Sequence, residues 1–460
     1  MDKNALFKAP KRMEISMEKK VVSIGKKGIY DATELGTPKM LILGLQHMFA
    51  MFGSTILVPL LTGLSVSTTL LFAGLGTLLF HLISKRKVPA FLGSSFAFLA
   101  GYAAIAPSGE KELLPYACFG VAIAGLLYLI LAAAFKAYGT ERVMKFFPPV
   151  VTGPIIIAIG LNLSKSAIES CSQNWLVALI AIVIVIGCNI WGKGMVKILP
   201  ILLAVIGSYA FAAIAGLIDF TPVAEANWIG LPVSYERTVF SIFTSGNLDK
   251  SLLITSVITI APIALATMME HIGDISAISS TVGKNFIKEP GLHRTLTGDG
   301  IATTIASLFG APANTTYGEN TGVLTLTKVY DPKVIRIAAV FAILMSFCPK
   351  FSALIEVMPT ATVGGISLIL YGMISAVGVR NVVEAGVDFS HSRNVIIAAL
   401  ILVLSIGINY STAGALTFVL GSITINFSGL ATGSLIGIIL NAILPDTNEM
   451  KKNNSDEEAA

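Results

Sequence analysis

Two acids stand in surroundings that disfavour charge. Glu270 lies in the apolar stretch ATMMEHIGDI, and Glu319 follows Gly318 in NTTYGENTG. An ionised acid at the centre of a bilayer costs roughly 2.5–3.5 kcal/mol on insertion scales. An acid kept there is either a structural group bonded to neighbouring helices or a ligand for substrate, proton or cation. Asp274 comes one turn after Glu270 on the same helical face. It reads as a second acceptor, a proton relay or a cation ligand. His271, about 100° around that helix, and His47 in LGLQHMFAMFG are either proton carriers or packed histidines. Asp299, in LTGDGIA, is expected near the cytosolic end of its span in a structural role. Phe96, Tyr317 and Tyr371 stand near breaks in the apolar pattern. A planar aromatic ligand needs at least one such ring to stack on.

The ligand chemistry follows from these groups. Carboxylates accept hydrogen bonds, and backbone N–H groups freed at a helix break donate them. A planar molecule with alternating N–H and C=O groups, such as uracil or xanthine, fits both. A simple cation also seeks two acids; an inorganic anion does not.

The elements that position these residues are membrane spans. Of 460 residues, 54% are hydrophobic and 13% charged, against about 25% charged in soluble domains. A soluble enzyme, a disordered chain and a collagen-like chain are excluded. No P-loop, nucleophile motif or metal-ligand spacing stands out. An enzyme, a cofactor and a metal site are therefore not expected. Cys118, Cys171, Cys188 and Cys348 are scattered and form no CxxC. The net charge of +5 is not read as a nucleic-acid footprint.

The fold class expected is an all-α polytopic membrane protein of fourteen spans. A polar cytosolic tail occupies 1–39, one seven-span repeat 40–218, an extracellular linker 219–250, a second repeat 251–445 and a cytosolic tail 446–460. Most Lys and Arg fall on the joints that share a side with the N-terminus. Only Lys111, Lys165, Arg237, Lys250 and Lys350 fall on the other, which places both termini inside. Gln46-His47 is matched by Glu270-His271, and Pro89 with Ser94-Ser95-Phe96 by Pro312 with Thr315-Thr316-Tyr317. A seven-span unit repeated after an odd number of crossings is inverted. Inverted repeats broken at matching places point to a midplane site in a secondary transporter. Spans three (89–105) and ten (311–327) are each expected as a short extended segment followed by a half-helix. Such backbone survives at membrane depth only when buried in protein or lining a cavity.

The run Glu319-Asn320-Thr321-Gly322-Val323-Leu324-Thr325-Leu326-Thr327-Lys328 resembles the signature of the nucleobase–ascorbate transporter family at every fixed position. LQHMFAMFGSTILVP, PAFLGSSFAF, EHIGD and PGLHRTLTGDG accompany it in order, and the likeness spans about 40–445. QHMFAMFG, GSSFAF and NTTYGEN point to the uracil-carrying branch. The resemblance implies a core domain of spans 1–4 and 8–11, and a gate domain of spans 5–7 and 12–14. It also implies a homodimer in the bacterial plasma membrane and elevator-like proton symport of uracil, with no part for an enzyme. Glu270 and Glu319 match the acids that hold the base. Phe96 and Gly318 match the donors of backbone N–H, and Tyr317, Tyr371 and Ser54 match further pocket positions. Proton coupling falls to Glu270, Asp274, His271 and His47. One departure bears on substrate and ion. Enterobacterial-type uracil carriers have His where this chain has Asp274, and purine carriers often have Asp. Xanthine or another purine is therefore the alternative substrate, and sodium the alternative coupling ion.

Overall fold

The computed structural model describes residues 28–445, apart from 245, 247, 421 and 422. Most of the expected N-terminal tail (1–27) and all of the C-terminal one (446–460) lie outside the described residues. Helix α1 (Thr37–Thr62) opens with Pro38 in its first turn. It stops at Gly63, whose left-handed φ of 80° returns its N–H to the Pro59 carbonyl. Ser65 caps α2 (Val66–Ile83) by accepting the Thr68 N–H. The chain then runs extended as β1 (Leu92–Ser94) into α3 (Leu99–Ile105). Next come α4 (Leu114–Tyr138), α5 (Pro149–Asn162), α6 (Trp175–Ile190) and α7 (Pro200–Ile214). Within the expected linker lie short helices at Thr221–Glu225 and Phe240–Thr244.

The second half begins with α8 (Lys250–Ile260), capped by Asp249, and α9 (Ala264–Val282), joined by a tight turn at Pro262. There follow α10 (Leu292–Leu308), β2 (Asn314–Thr316), α11 (Gly318–Thr327), α12 (Pro332–Ser346), α13 (Thr360–Glu384) and α14 (Ser392–Asn409). An antiparallel hairpin, β3 (Ala415–Leu420) and β4 (Ile423–Ser428), leads into α15 (Gly429–Ile443).

Among the described residues seven helices are long and apolar enough to cross a membrane, with α12 and the helix after it (Pro349–Glu356) bent by 87°. Helices α6, α7 and α15 are apolar but short. At about 1.5 Å per residue, fifteen residues rise only about 22 Å, against a hydrocarbon core of about 30 Å. Length thus marks fewer crossings than the apolar runs do. Ile130, Val183, Leu344 and Val403 are exposed on helix surfaces, as side chains in contact with lipid are.

Two groups of helices pack mainly among themselves. In one, α10 lies on α4 and α2, α12 on α2 and α1, and α8 on α4. In the other, α13 lies on α5 and α6, α14 on α5 and α15, and α7 on α6. Glycine permits the closest crossings. A Cβ at Gly300 would stand 2.6 Å from the Gly125 carbonyl, and one at Gly160 2.2 Å from that of Tyr371. Between the groups, α9 meets α5 and α15, while α1 meets α7 and α13.

The chain is mostly helical, as expected, and the described residues hold two small sheets: one pairs the extended segments of spans three and ten, and the other, the hairpin, was not expected. The hairpin takes residues 427 and 428 from the span expected at 427–445. Its stretches ALTFV and ITINF are rich in β-branched and aromatic residues, and an apolar run that short has no period to separate strand from helix. The described tail residues closest to α1 are docked against the joint between α11 and α12. Ile29 pairs with Val329, the Ala32 N–H donates to Asp331 Oδ2 at 2.8 Å, and Lys333 Nζ donates to Asp31 Oδ1 at 3.1 Å. The hydroxyl and N–H of Thr33, with Lys333 beside them, hold the Asp31 carboxyl down to about 2.

Candidate functional site

The site is built on two helix breaks that face each other. β1 and β2 pair antiparallel with Leu92 opposite Thr316, Gly93 opposite Thr315 and Ser94 opposite Asn314. The Ser95 N–H reaches the Ala313 carbonyl at 2.9 Å, and the Tyr317 N–H reaches that of Phe91 at 3.1 Å. In an antiparallel ladder this makes Leu92 and Asn314 non-hydrogen-bonded positions, whose backbone groups point away from the partner strand. Both residues are buried, so those groups need other partners. One hydroxyl serves each. Thr77 on α2 accepts the Leu92 N–H at 2.9 Å and donates to its carbonyl at 3.3 Å. Thr303 on α10 accepts the Asn314 N–H at 3.2 Å and donates to its carbonyl at 2.9 Å. Tyr317 donates to the Ser94 carbonyl at 2.9 Å, and Ser94 Oγ to that of Thr55 on α1 at 2.7 Å. The extended segments expected in spans three and ten are thus present as a two-stranded ribbon held from both sides.

Each strand then feeds a helical segment: Phe96–Phe98 and α3 after β1, α11 after β2. The N–H groups of those first turns have no partner within the helix. Gly318 opens α11 and is exposed, and a Cβ on it would meet nothing within 4 Å. Backbone and free space therefore meet there.

The acids border this space. Glu319, in the first turn of α11, is half-buried and takes the Ser54 hydroxyl on Oε1 at 2.5 Å. Glu270, on α9, is half-buried, and its Oε2 meets no hydrogen-bond partner among the described residues. Asp274 accepts the Thr316 hydroxyl at 2.6 Å, which ties α9 to β2. Glu270 lies within electrostatic reach of Asp274, Asp299 and Glu319, and Asp274 within reach of Asp299 and Glu319. The rings of Phe96 and Tyr371 meet edge to face with centroids 5.6 Å apart, and the Tyr371 hydroxyl is buried without a partner. Tyr317 instead packs its ring over Gly93, where a Cβ would lie 2.4 Å from it.

The histidines are placed away from open space. His47 is fully buried, with Nδ1 3.1 Å from Asn320 Nδ2, which also donates to the His47 carbonyl. This fastens α11 to α1. His271 is fully buried with Nδ1 2.8 Å from Asp299 Oδ2, off the line of a well-formed hydrogen bond. Asp299 is a correction. It sits in the middle of α10, completely buried, instead of near a span end. Sequence reasoning also missed Thr77, Thr303 and Thr316, whose roles depend on backbone or acid partners distant in the chain. Asn320 stands in the family signature, but its partner His47 was not foreseeable from spacing. Among the described residues no group of three or more His, Cys, Asp and Glu side chains has the arrangement of a metal site.

Comparison with known proteins places this geometry in a family. The profile of a permease family, Xan_ur_permease, matches residues 38–414. A uracil permease of Bacillus subtilis (strain 168) is 38% identical over 96% of this chain and 99% of its own length. One from Bacillus caldolyticus is 41% identical over 89% and 93%. One from Escherichia coli (strain K12) is 35% identical over 87% and 90%. Among solved structures, the transmembrane domain of the cyanobacterial bicarbonate transporter BicA aligns with a TM-score of 0.56 at 15% identity, over 90% of this chain and 99% of that one. SLC26A9 aligns at 0.60 and 12%, over 90% and 66%. These two speak for the fold alone. The family match covers most of the chain and the likeness to the three permeases runs nearly end to end, so the chain belongs to the nucleobase–ascorbate transporter family and is a multi-pass membrane permease.

Proposed function

We propose that the protein imports uracil across the bacterial plasma membrane by proton symport. The observation that carries this reading is the electrostatic proximity of Glu270 and Glu319 at the helix start where the Gly318 backbone is exposed; the paired rings of Phe96 and Tyr371 support it. The two acids supply acceptors for the N–H groups of the base. The first-turn N–H groups at Phe96 and Gly318 supply donors for its C=O groups, and Phe96 supplies a ring. Three uracil permeases at 35–41% identity support the choice of base. Asp274 keeps xanthine as the alternative base and sodium as the alternative ion.

The reading includes fourteen spans in two inverted repeats, with both termini cytoplasmic. The packing supports it, because exchanging the halves maps contact onto contact. Helix α2 on α12 corresponds to α10 on α4, α6 on α7 to α14 on α15, and α13 on α6 to α5 on α14. The Thr77 and Thr303 clamps correspond in the same way. The first group of helices serves as the core that carries the base, the second as a gate, and the two move past one another in an elevator-like step within a homodimer. A carboxyl group removed from water holds a proton more readily. A proton taken from outside on the Glu270, Asp274 and Glu319 cluster completes the donor pattern around the base and leaves to the cytosol with it. Asp299, with His271 beside it, backs the cluster.

The test is uptake of labelled uracil into proteoliposomes at outside pH 5.5 and 7.5, with Glu319→Gln beside the unsubstituted protein. Saturable uptake that rises at acid pH and is lost in Glu319→Gln is the expected result. Uptake and affinity unchanged in a folded Glu319→Gln would sink the site assignment, and no uptake of any base would sink the substrate.

A further inference from the structure

A second polar group faces the same pathway from the gate side. Between α3 and the facing ends of α5 and α14 lies a narrow gap bordered by Phe96, Ala97 and Ala100 on one wall and Asn162, Asn409 and Ser428 on the other. Its volume, about 10 Å³, is on the order of one water. The Asn162 carboxamide is buried there with neither its oxygen nor its nitrogen hydrogen-bonded. Its backbone, by contrast, is fixed. The Tyr410 hydroxyl lies within hydrogen-bonding distance of the carbonyls of Asn162 at 3.0 Å and Leu161 at 3.2 Å. Buried amides are nearly always hydrogen-bonded, and an exception calls for an explanation. Asn162 ends its span on the side opposite the cytosolic termini of the proposed topology. In that topology the gap lies at the outer ends of α5 and α14, beside Phe96.

Resting on the uracil-transport reading, we infer that Asn162 is a substrate-contacting, specificity-determining residue on the outer approach to the site. Its carboxamide presents one donor and one acceptor side by side, the complement of an adjacent C=O and N–H on a pyrimidine. In the closed gap both groups are idle. As the core moves away from the gate the gap widens, and a base entering from outside meets Asn162 before Phe96. The amide lies on the gate, so the base leaves it behind when the core carries it inward.

The experiment compares Asn162→Leu and Asn162→Asp with the unsubstituted protein in proteoliposomes, measuring KM and kcat for uracil and competition by cytosine, thymine and xanthine. Leucine removes both polar groups; aspartate keeps the shape and loses the donor. The expected result is a KM raised about three- to tenfold in each, the range one hydrogen bond gives, with kcat within about twofold and an altered order of competitors. If Asn162→Leu does not fold, Asn162→Asp carries the test alone. An unchanged KM and order of competitors would overturn the inference, as would a fall in kcat alone, which marks a structural residue. Uptake of no base by the unsubstituted protein would refute the transport reading, and this inference with it. Normal uptake with an indifferent Asn162 refutes this inference only.

Discussion

Replacing Thr303 by valine should unfasten the second break without changing its shape. Valine matches threonine in volume but lacks the hydroxyl. In the folded protein that hydroxyl bonds both the N–H and the carbonyl of Asn314, at 3.2 and 2.9 Å. Both groups point away from β1, and the residue is only 3% exposed, so water cannot replace the lost partner. Each unsatisfied buried polar group costs about 1–3 kcal/mol, which puts the substitution at about 2–6 kcal/mol. Thr77→Val removes the equivalent clamp on Leu92 and should cost a similar amount. Thr304→Val is the control. Its hydroxyl also lies on α10 but bonds only helix carbonyls, those of Gly300 and Ala122, and its loss should be small. Thermal unfolding of the purified protein in detergent, with and without uracil, reads the result. The two clamp variants should lose several degrees and most of the stabilisation by uracil, since a ligand that prefers the folded site raises its stability. Thr303→Val melting with the control and retaining its uracil shift would refute the idea that one hydroxyl holds the break.

Three further perturbations have definite outcomes. Ser54→Ala removes the donor at 2.5 Å from Glu319; hydrogen bonds to charged groups contribute about 1.5–3 kcal/mol, and uracil affinity measured by calorimetry should fall about tenfold or more. Gly300→Ala places a Cβ 2.5 Å from Tyr128 Cβ and 2.6 Å from the Gly125 carbonyl, so α4 and α10 must separate, at about 1–3 kcal/mol of stability, visible as a lowered melting temperature. The docked tail has an acid limit. Asp31 is held down to about 2 from 3.8, so its contribution is present above pH 3.8 and lost as pH falls toward 2; protease cleavage ahead of α1 should quicken over that window in the native chain but not in Asp31→Asn.

The site was more legible than its supports. Glu270, Glu319, Phe96 and Gly318 announce themselves because an acid or a Gly-rich break is out of place in an apolar span. That the two breaks face each other followed from their matched positions. Asp299 was misplaced because its span was expected to begin near 295, only about four residues before it. Helix α10 already begins at Leu292, and at about 1.5 Å per residue Asp299 lies about 10 Å inside it. Thr77 and Thr303 carry no sequence signal, since hydroxyls are common in membrane helices and these two matter through backbone distant from them in the chain. The hairpin was missed for another reason: nearly all of it fell in the joint between the last two expected spans, and its short apolar runs have no period to mark them as strands.

The bonding of the acids also bears on whether the ligand is a base or a bare cation. A cation is held by several oxygens that converge on one point with lone pairs free. In this cluster Asp274 has turned an oxygen to the Thr316 hydroxyl and Glu319 one to Ser54, while Asp299 faces His271 at 2.8 Å without a well-formed hydrogen bond. Those placements spread the oxygens over three elements. Glu270 Oε2 remains without a partner among the described residues, and Glu270 is within electrostatic reach of Glu319, which adjoins the open backbone at Gly318. A free acceptor, a donor edge and aromatic rings suit a flat molecule with N–H and C=O groups. Sodium offers nothing to the donors. If the site nevertheless serves a cation, sodium alone should raise the melting temperature of the base-free protein and Asp274→Asn should abolish that rise. If it serves a base, uracil produces the shift without sodium.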